Sequence, residues 1–153
     1  MNLDNKKSYL FMGSIVNIII SGNDTNGSLT LVEHIERKGG EPPFHIHHNE
    51  DELIYVKEGT LNFFLDDEVI HAQEGDSIFL PRGIPHKFEL ESEQVNFLTK
   101  AVSSGYDDFI KEVGKTLNTD EIKPKIPTTE DVKNLVSIGK KYNMSFLINN
   151  KWL

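Results

Sequence analysis

Three residues that can bind a metal lie close together in one segment of the chain. His45 and His47 are two positions apart in a β-rich run, so both side chains leave the same face of a strand. Glu52 follows a short turn and begins the returning strand, which places a carboxylate beside the two imidazoles. Borderline divalent metals accept imidazole nitrogen and carboxylate oxygen. The segment is therefore typical of a chelating site.

A fourth candidate, His86, begins a run that follows a tight corner at residues 81–85. His86, Phe88 and Leu90 alternate along this run, and the two apolar residues mark their shared face as interior. An interior histidine is either hydrogen-bonded or bound to a metal. We predict that His45, His47, Glu52 and His86 bind one divalent transition metal.

Other histidines and carboxylates of the chain are weaker candidates than this set. Glu50 and Asp51 are alternatives to Glu52, although a solvated acidic turn is the simpler interpretation of both. His48 has the wrong strand parity for a ligand and is expected at the surface or behind the ligands. His34 and His71 have no partner at ligand spacing, and we assign them no function.

The elements that must position these residues are short β-strands. Turn signals rich in Gly, Asn, Asp and Pro separate β-rich runs over the first two thirds of the chain, which predicts a closed or double-sheet antiparallel barrel. Residues 9–20 are interpreted as one first strand, since the apolar run is interrupted by Ser14 and Asn17 and is too short to span a bilayer. The remaining predicted strands are 29–36, 44–47, 53–56, 60–65, 68–72, 77–80, 87–90 and 95–99.

The pattern changes after Ala101. Residues 107–117 carry apolar side chains at helical spacing, and a second helix is predicted after an N-cap at residues 128–131. Residues 146–148 are expected to pack back onto the barrel or onto a partner subunit. We therefore predict one domain over residues 1–153, with the barrel at about 9–101 and a helical extension at about 104–153.

Composition excludes several classes of function. The 153 residues carry a formal net charge of −8, which disfavours nucleic acid and anionic membrane surfaces as partners. The chain has no cysteine, so disulfides, thiolate metal sites and cysteine nucleophiles are excluded. We expect a cytoplasmic protein.

Two motifs resemble the signatures of the cupin superfamily. Gly39-x5-His45-x-His47-x4-Glu52-x6-Gly59 resembles the first signature, and Gly75-x5-Pro81-x-Gly83-x2-His86 resembles the second. The second signature often ends in Asn, where this chain has Leu90. The resemblance is closer still to small single-domain cupins labelled quercetin 2,3-dioxygenase-like, and it extends into the C-terminal segment through residues 105–109 and 127–129. It implies an all-β jelly-roll barrel (a double-stranded β-helix) with two short C-terminal helices.

The resemblance also implies a chemistry. Three histidines and one glutamate leave coordination positions open on a five- or six-coordinate ion, which is what a reactive site needs. Iron, manganese, nickel, cobalt, copper and zinc all remain candidates. The favoured reaction is dioxygenase-like oxidation of a small phenolic or enolisable compound, with Glu52 as both ligand and catalytic base.

Two other functions stay open: a metal-dependent isomerase or hydrolase, and a non-enzymatic small-molecule binder or sensor. Pocket residues expected in any of these cases lie on the inward strand faces. They are Ile54, Val56, Phe63, Phe79 and Phe88. Family habit further implies a homodimer.

Overall fold

The computed structural model describes residues 7–103, 105–117 and 125–153, and shows a β-rich fold with two α-helices. Parts of the predicted domain, residues 1–6, 104 and 118–124, lie outside the described residues. The elements in chain order are β1 (Lys7–Phe11), β2 (Ser14–Ile20), β3 (Thr30–Arg37), β4 (His45–His47), β5 (Asp51–Glu58), β6 (Thr60–Leu65), β7 (Glu68–Gln73), β8 (Ser77–Leu80), β9 (His86–Leu90), β10 (Gln94–Val102), α1 (Tyr106–Val113), β11 (Lys115–Thr116), α2 (Thr129–Gly139), β12 (Met144–Ile148) and β13 (Lys151–Trp152).

The strands form two antiparallel sheets that face each other as a jelly roll. The seven-stranded sheet has the order β11-β1-β2-β3-β10-β5-β8, and the six-stranded sheet has the order β13-β12-β4-β9-β6-β7. Among the described strands, no ladder joins the two sheets, so the structure confirms the double-sheet jelly roll, one of the two predicted arrangements, and not the closed barrel. The sequence pattern could not distinguish the two arrangements, because both bury one face of every strand.

The apolar run predicted as one N-terminal strand is a hairpin. β1 and β2 pair antiparallel, with Phe11 opposite Ser14, and Met12 and Gly13 form the two-residue turn between them. Both turn residues have positive φ, 48° and 86°, as in the tight turns that match the twist of a hairpin. The prediction failed because methionine is not a usual residue at such a turn.

The C-terminal segment contains both predicted helices, but it is not helical throughout. α1 ends at Val113 because Lys115 and Thr116 pair with β1 instead of continuing the helix. α2 begins after Thr128, whose hydroxyl accepts a hydrogen bond from the Asp131 amide in a capping box, as the N-cap signal predicts. After α2 the chain returns to the six-stranded sheet as β12, which pairs with β4.

Two apolar clusters fill the interior. One lies between the sheets and includes the fully buried Val56, Leu61 and Phe63. The other lies beneath α1 and α2 and includes Phe109 and Phe146. Phe146 of β12 stacks on His45 with ring centroids 6.0 Å apart, so the second cluster packs directly against the predicted site.

The contact between α2 and β12 gives a test of this packing. A Cβ added to Gly139 would lie 2.5 Å from Cε2 of the buried Phe146 ring, and a buried ring cannot move away without displacing its neighbours. We expect Gly139→Ala to lower the free energy of unfolding by about 1–3 kcal/mol, although alanine favours helix more than glycine does. Ser137→Ala, at an exposed position of the same helix, is the control and should not destabilise. Equal free energies of unfolding in urea for Gly139→Ala and the wild type would contradict the close contact between Gly139 and Phe146.

Candidate metal centre

Two adjacent strands carry the three histidines. His45 and His47 lie on β4, and His86 begins β9, directly opposite His45 in the antiparallel ladder. β12 flanks β4 on its other side, with Phe146 opposite His45 and Met144 opposite His47. A strand of three residues is thus held from both sides, which fixes the direction of both of its imidazoles.

Backbone carbonyl groups orient two of the imidazoles. His45 Nδ1 lies 2.9 Å from the carbonyl oxygen of Pro43, and His86 Nδ1 lies 3.0 Å from that of Ile84. A carbonyl oxygen can only accept, so each Nδ1 carries the proton and donates it. Each Nε2 is left with a free lone pair. This is the usual way in which proteins prepare a histidine for a metal.

Glu52 meets the histidines from the opposite sheet. One ligand nitrogen from each of His45, His47 and His86 lies within 4.8 Å of the other two. Glu52 Oε2 lies 3.2 Å from His86 Nε2 and 3.5 Å from His47 Nε2. Glu52, His47 and His86 are all at most 4% exposed, so this polar cluster has been removed from water.

Burial and charge act in opposite directions on the site. Burial lowers the pKa of His45 well below its ordinary value, and the neighbouring His86 and His47 add to this effect. Burial opposes the charge of His47 as well, but the carboxylates of Glu52 and Glu50 outweigh it and raise the pKa of His47. Burial disfavours the Glu52 anion, yet the three histidines keep the pKa of Glu52 far below its usual range. Glu52 is therefore anionic at neutral pH.

The two alternative carboxylates have other contacts. The prediction that Glu50 belongs to a solvated turn is wrong, because its side chain is only 4% exposed. Its Oε2 lies 3.7 Å from His47 Nδ1. This position is behind the histidine and suits an orienting partner. Asp51 instead pairs with Arg82 at the surface, where the guanidinium Nη2 lies 2.8 Å from Asp51 Oδ2.

These residues fit a divalent metal. Among the described residues, His86 Nε2 has no hydrogen-bond partner, even though Glu52 Oε2 is 3.2 Å away. An unprotonated imidazole nitrogen and a carboxylate oxygen are both acceptors, so this approach is favourable only with a proton or a cation between them. Three imidazole nitrogens and one carboxylate oxygen form a donor set that transition metals accept. His45, His47 and His86, with Glu52, would hold the ion.

Two of the candidate metal ligands, His45 and His47, open onto a cavity of about 290 Å³. His45 and His47 form part of its wall, and most of the remainder is apolar. Apolar side chains from both sheets and both helices line it: Phe11, Phe88, Phe109, Leu135, Met144 and Phe146. This volume is at the lower end of the range of small-molecule pockets.

Only one of the five predicted pocket residues, Phe88, lines this cavity. Ile54, Val56 and Phe63 point inward as expected, but they are packed into the cluster between the sheets. Phe79 is 57% exposed, since Ile78 and Leu80 occupy the inward positions of β8. For Phe79 the predicted strand was right and the chosen face was wrong.

The sequence reasoning missed a second polar group in the cavity wall. His34 and Glu36, neighbours on the inner face of β3, are each 5% exposed and line the cavity together with Ser14 and Tyr106. His34 was assigned no function because no other histidine or carboxylate was recognised at the spacing expected of metal ligands. Strand parity could have found this pair, because residues two apart on the predicted strand 29–36 share a face with the apolar Val32.

The other two histidines were assigned no ligand role and lie at the surface. His48 is exposed, and its Nε2 lies 3.0 Å from the Ser145 hydroxyl. His71 is also exposed and lies beside Asn62 and Glu91. Neither side chain takes part in the cluster around Glu52.

Comparison with known proteins finds similarity to one domain family. Residues 31–99, which contain all four predicted ligands, match the cupin domain family. The chain is 25% identical over 126 residues to a quercetin 2,3-dioxygenase of Bacillus subtilis, covering 82% of this chain and 37% of that protein. It is 33% identical over 78 residues to an uncharacterised protein of Methanocaldococcus jannaschii, covering 50% of this chain and 62% of the relative. The chain thus spans less than two thirds of either curated relative.

Solved structures agree on the fold. An oxalate decarboxylase of Bacillus subtilis superposes with a TM-score of 0.58 at 21% identity, over 68% of this chain and 29% of that one. KdgF from a Halomonas species superposes with a TM-score of 0.59 at 19% identity, over 71% of this chain and 95% of that one. These superpositions show that the described residues have the fold of cupin proteins. None of the helices in the described ranges has the length and apolar character needed to cross a membrane.

The charges around His47 predict how metal binding depends on pH. A metal must displace any proton from the imidazoles, and because the pKa of His47 is raised while that of His45 is lowered, His47 gains a proton before His45 as the pH falls. We expect the zinc dissociation constant to rise about tenfold per pH unit once the pH is below the pKa of His47. Competition titrations with a chromophoric chelator between pH 8 and pH 5 would measure this.

Glu50→Gln is the informative variant for the same measurement. It removes one of the two negative charges that raise the pKa of His47, so the loss of affinity should begin at a lower pH than in the wild type. Asp51→Asn, a change in the neighbouring carboxylate that faces Arg82, should leave the profile in place. Identical profiles for the wild type and Glu50→Gln would show that Glu50 does not act on the site.

Proposed function

We propose that this protein is a metal-dependent, dioxygenase-like oxidoreductase that acts on a small phenolic or enolisable compound. The proposal depends chiefly on the 3.2 Å approach of two acceptors, His86 Nε2 and Glu52 Oε2, beside two further histidines at the wall of an apolar cavity. A divalent cation relieves the repulsion between these acceptors. An ion held by so few side chains keeps positions open toward the cavity.

The chain's own residues would prepare such a reaction in three ways. The carbonyl groups of Pro43 and Ile84 hold two imidazoles in the tautomer that binds metal. The anionic Glu52 can accept the proton of a substrate hydroxyl, while the apolar walls exclude water. When bound, the metal supplies Lewis acidity and, for a redox-active ion, a route for electrons to molecular oxygen.

The similarity to a quercetin 2,3-dioxygenase over 82% of the chain supports this class of reaction. That relative is much longer, since the match covers 37% of it. The substrate is therefore proposed only as a chemical class, and a flavonol is one member of the class to test. The metal is proposed as one divalent transition ion.

Metal content and oxygen uptake test the proposal. Protein purified without a His-tag or chelator should contain about one equivalent of a transition metal by elemental analysis. His86→Gln should lose it, whereas His71→Gln, at an exposed histidine outside the cavity, should retain it. Protein loaded separately with Fe(II), Mn(II), Ni(II) or Cu(II) should consume oxygen with at least one flavonol or smaller enol.

The negative outcomes distinguish the alternatives. Absence of oxygen uptake with every metal and substrate would refute the dioxygenase. If one of these compounds then raised the melting temperature without yielding a product, the protein would instead be a small-molecule binder. Turnover without oxygen uptake would indicate an isomerase or hydrolase. A metal-free protein that no ion stabilises would refute every metal-dependent function.

We also propose a homodimer formed through the outer face of the seven-stranded sheet. Leu53, Tyr55 and Phe79 are 44%, 44% and 57% exposed there, and Leu53 lies opposite Phe79 in the β5–β8 ladder. A contiguous apolar patch of this kind is typical of an interface. Light scattering should give twice the monomer mass, and Phe79→Glu should reduce it to that of the monomer. A monomeric wild type would refute the dimer.

A further inference from the structure

The cavity wall opposite the metal-binding histidines carries a chain of buried hydrogen bonds. Glu36 Oε2 accepts from the Ser14 hydroxyl, and Glu36 Oε1 lies 3.2 Å from His34 Nδ1. His34 Nε2 lies 3.3 Å from the Tyr106 hydroxyl. All four side chains are at most 9% exposed, and all four line the cavity.

The carboxylate of Glu36 determines which group donates in each of these hydrogen bonds. An ionised Glu36 can only accept, so the His34 Nδ1 carries its proton and donates to it. The His34 Nε2 is then unprotonated and accepts the hydrogen of the Tyr106 hydroxyl. The Tyr106 oxygen keeps its own acceptor capacity, and no other described group hydrogen-bonds to it.

A purely structural role does not account well for these residues. The neighbours of His34 across the sheet are apolar, with Val16 and Phe97 directly opposite it, and the apolar Val95 lies opposite Glu36. Apolar side chains at positions 34 and 36 would continue the cluster, whereas buried polar groups lose their hydration. Here the buried polar groups hydrogen-bond to one another, and the series ends at the Tyr106 oxygen, which can still accept. A free acceptor in an otherwise apolar pocket is typical of ligand recognition.

Tyr106, the last residue of this series of hydrogen bonds, is close to the proposed metal-binding side chains. The Tyr106 ring stands edge-on to His47, with ring centroids 5.4 Å apart. A single small molecule in the cavity can therefore reach both the proposed metal and the Tyr106 oxygen. The acceptor at Tyr106 selects a ligand that donates a hydrogen, and the buried Glu36 behind it disfavours an anion.

We propose that Tyr106, held by His34 and Glu36, is a specificity-determining residue that accepts a hydrogen bond from a hydroxyl group of the bound ligand. Resting on the proposed function, this inference narrows the ligand to an aromatic or enolic compound with two hydroxyl groups. One hydroxyl oxygen faces the metal, and the other hydroxyl donates to Tyr106. His34 and Glu36 are positioning residues that act through the Tyr106 hydroxyl.

Catechol and 2-methoxyphenol test the inference, because 2-methoxyphenol carries a methyl group in place of the hydrogen that the second oxygen of catechol can donate. The full chain is loaded with Zn(II), which has no redox chemistry, and the affinity of each compound is measured by calorimetry. The wild type should bind catechol about tenfold more tightly than 2-methoxyphenol, the equivalent of one hydrogen bond. Tyr106→Phe should reduce this ratio toward one, and Tyr142→Phe, at a tyrosine that does not line the cavity and whose hydroxyl donates to Glu112, should leave it unchanged.

A spectroscopic measurement on the wild type tests the same inference without mutation. Catechol should shift the ¹⁵N resonances of the His34 ring, because it adds a donor to the Tyr106 oxygen that His34 holds, and 2-methoxyphenol should shift them less. A side chain with only a packing role would respond to both compounds alike.

A ratio unchanged in Tyr106→Phe, or equal His34 shifts with both compounds, would overturn the inference. Either result leaves the metal content and oxygen uptake of the wild type unaffected. If the wild-type protein binds no metal, the proposed function itself is overturned. The two failures are therefore distinguishable.

Discussion

The antiparallel pairing of β4 with β9 on one side and β12 on the other is the constraint on which the rest of the site depends. β4 has only three residues, and two of them are histidines that must point the same way. The ladder to β9 sets His45 opposite His86, and the ladder to β12 brings Phe146 onto the His45 ring. A shift of one residue in either ladder would turn both β4 imidazoles to the other face of the sheet.

This constraint explains why the chain continues past its helices. Without β12, β4 would be an edge strand of three residues, and edge strands of this length are poorly held. α2 fixes β12 in turn, since Gly139 allows the helix to approach the Phe146 ring closely. The described part of the C-terminal segment thus supports the geometry of the histidines, although none of the four candidate ligands lies in it.

The sequence predicted the residues of the candidate site better than it predicted the space around them. Strand parity and motif spacing placed His45, His47, Glu52 and His86 together, because both depend on short-range geometry that a sequence records directly. The same parity brought most strands within a few residues of their observed bounds.

The cavity could not be predicted in this way. Its walls come from strands, helices and loops distant in sequence, so only packing decides which inward side chains meet it. Phe63 and Phe88 are both inward and lie opposite each other in the β6–β9 ladder, yet only Phe88 reaches the cavity. The hairpin turn at Met12 was missed for a different reason, because its residue type contradicts the usual turn preference.

The two polar parts of the cavity make opposite electrostatic demands on a ligand. A metal held at the histidines would favour an oxygen that has lost its proton, since a divalent charge in a low-dielectric site stabilises an anion. The wall formed by Glu36, His34 and Tyr106 offers an acceptor backed by a carboxylate, which favours an oxygen that keeps its proton. A dianion would be repelled at the wall formed by Glu36, His34 and Tyr106. A fully methylated ether has no proton to lose at the metal and none to donate to Tyr106. The singly deprotonated form of a diol satisfies both ends, so the arrangement would select a compound by its protonation state as well as by its shape.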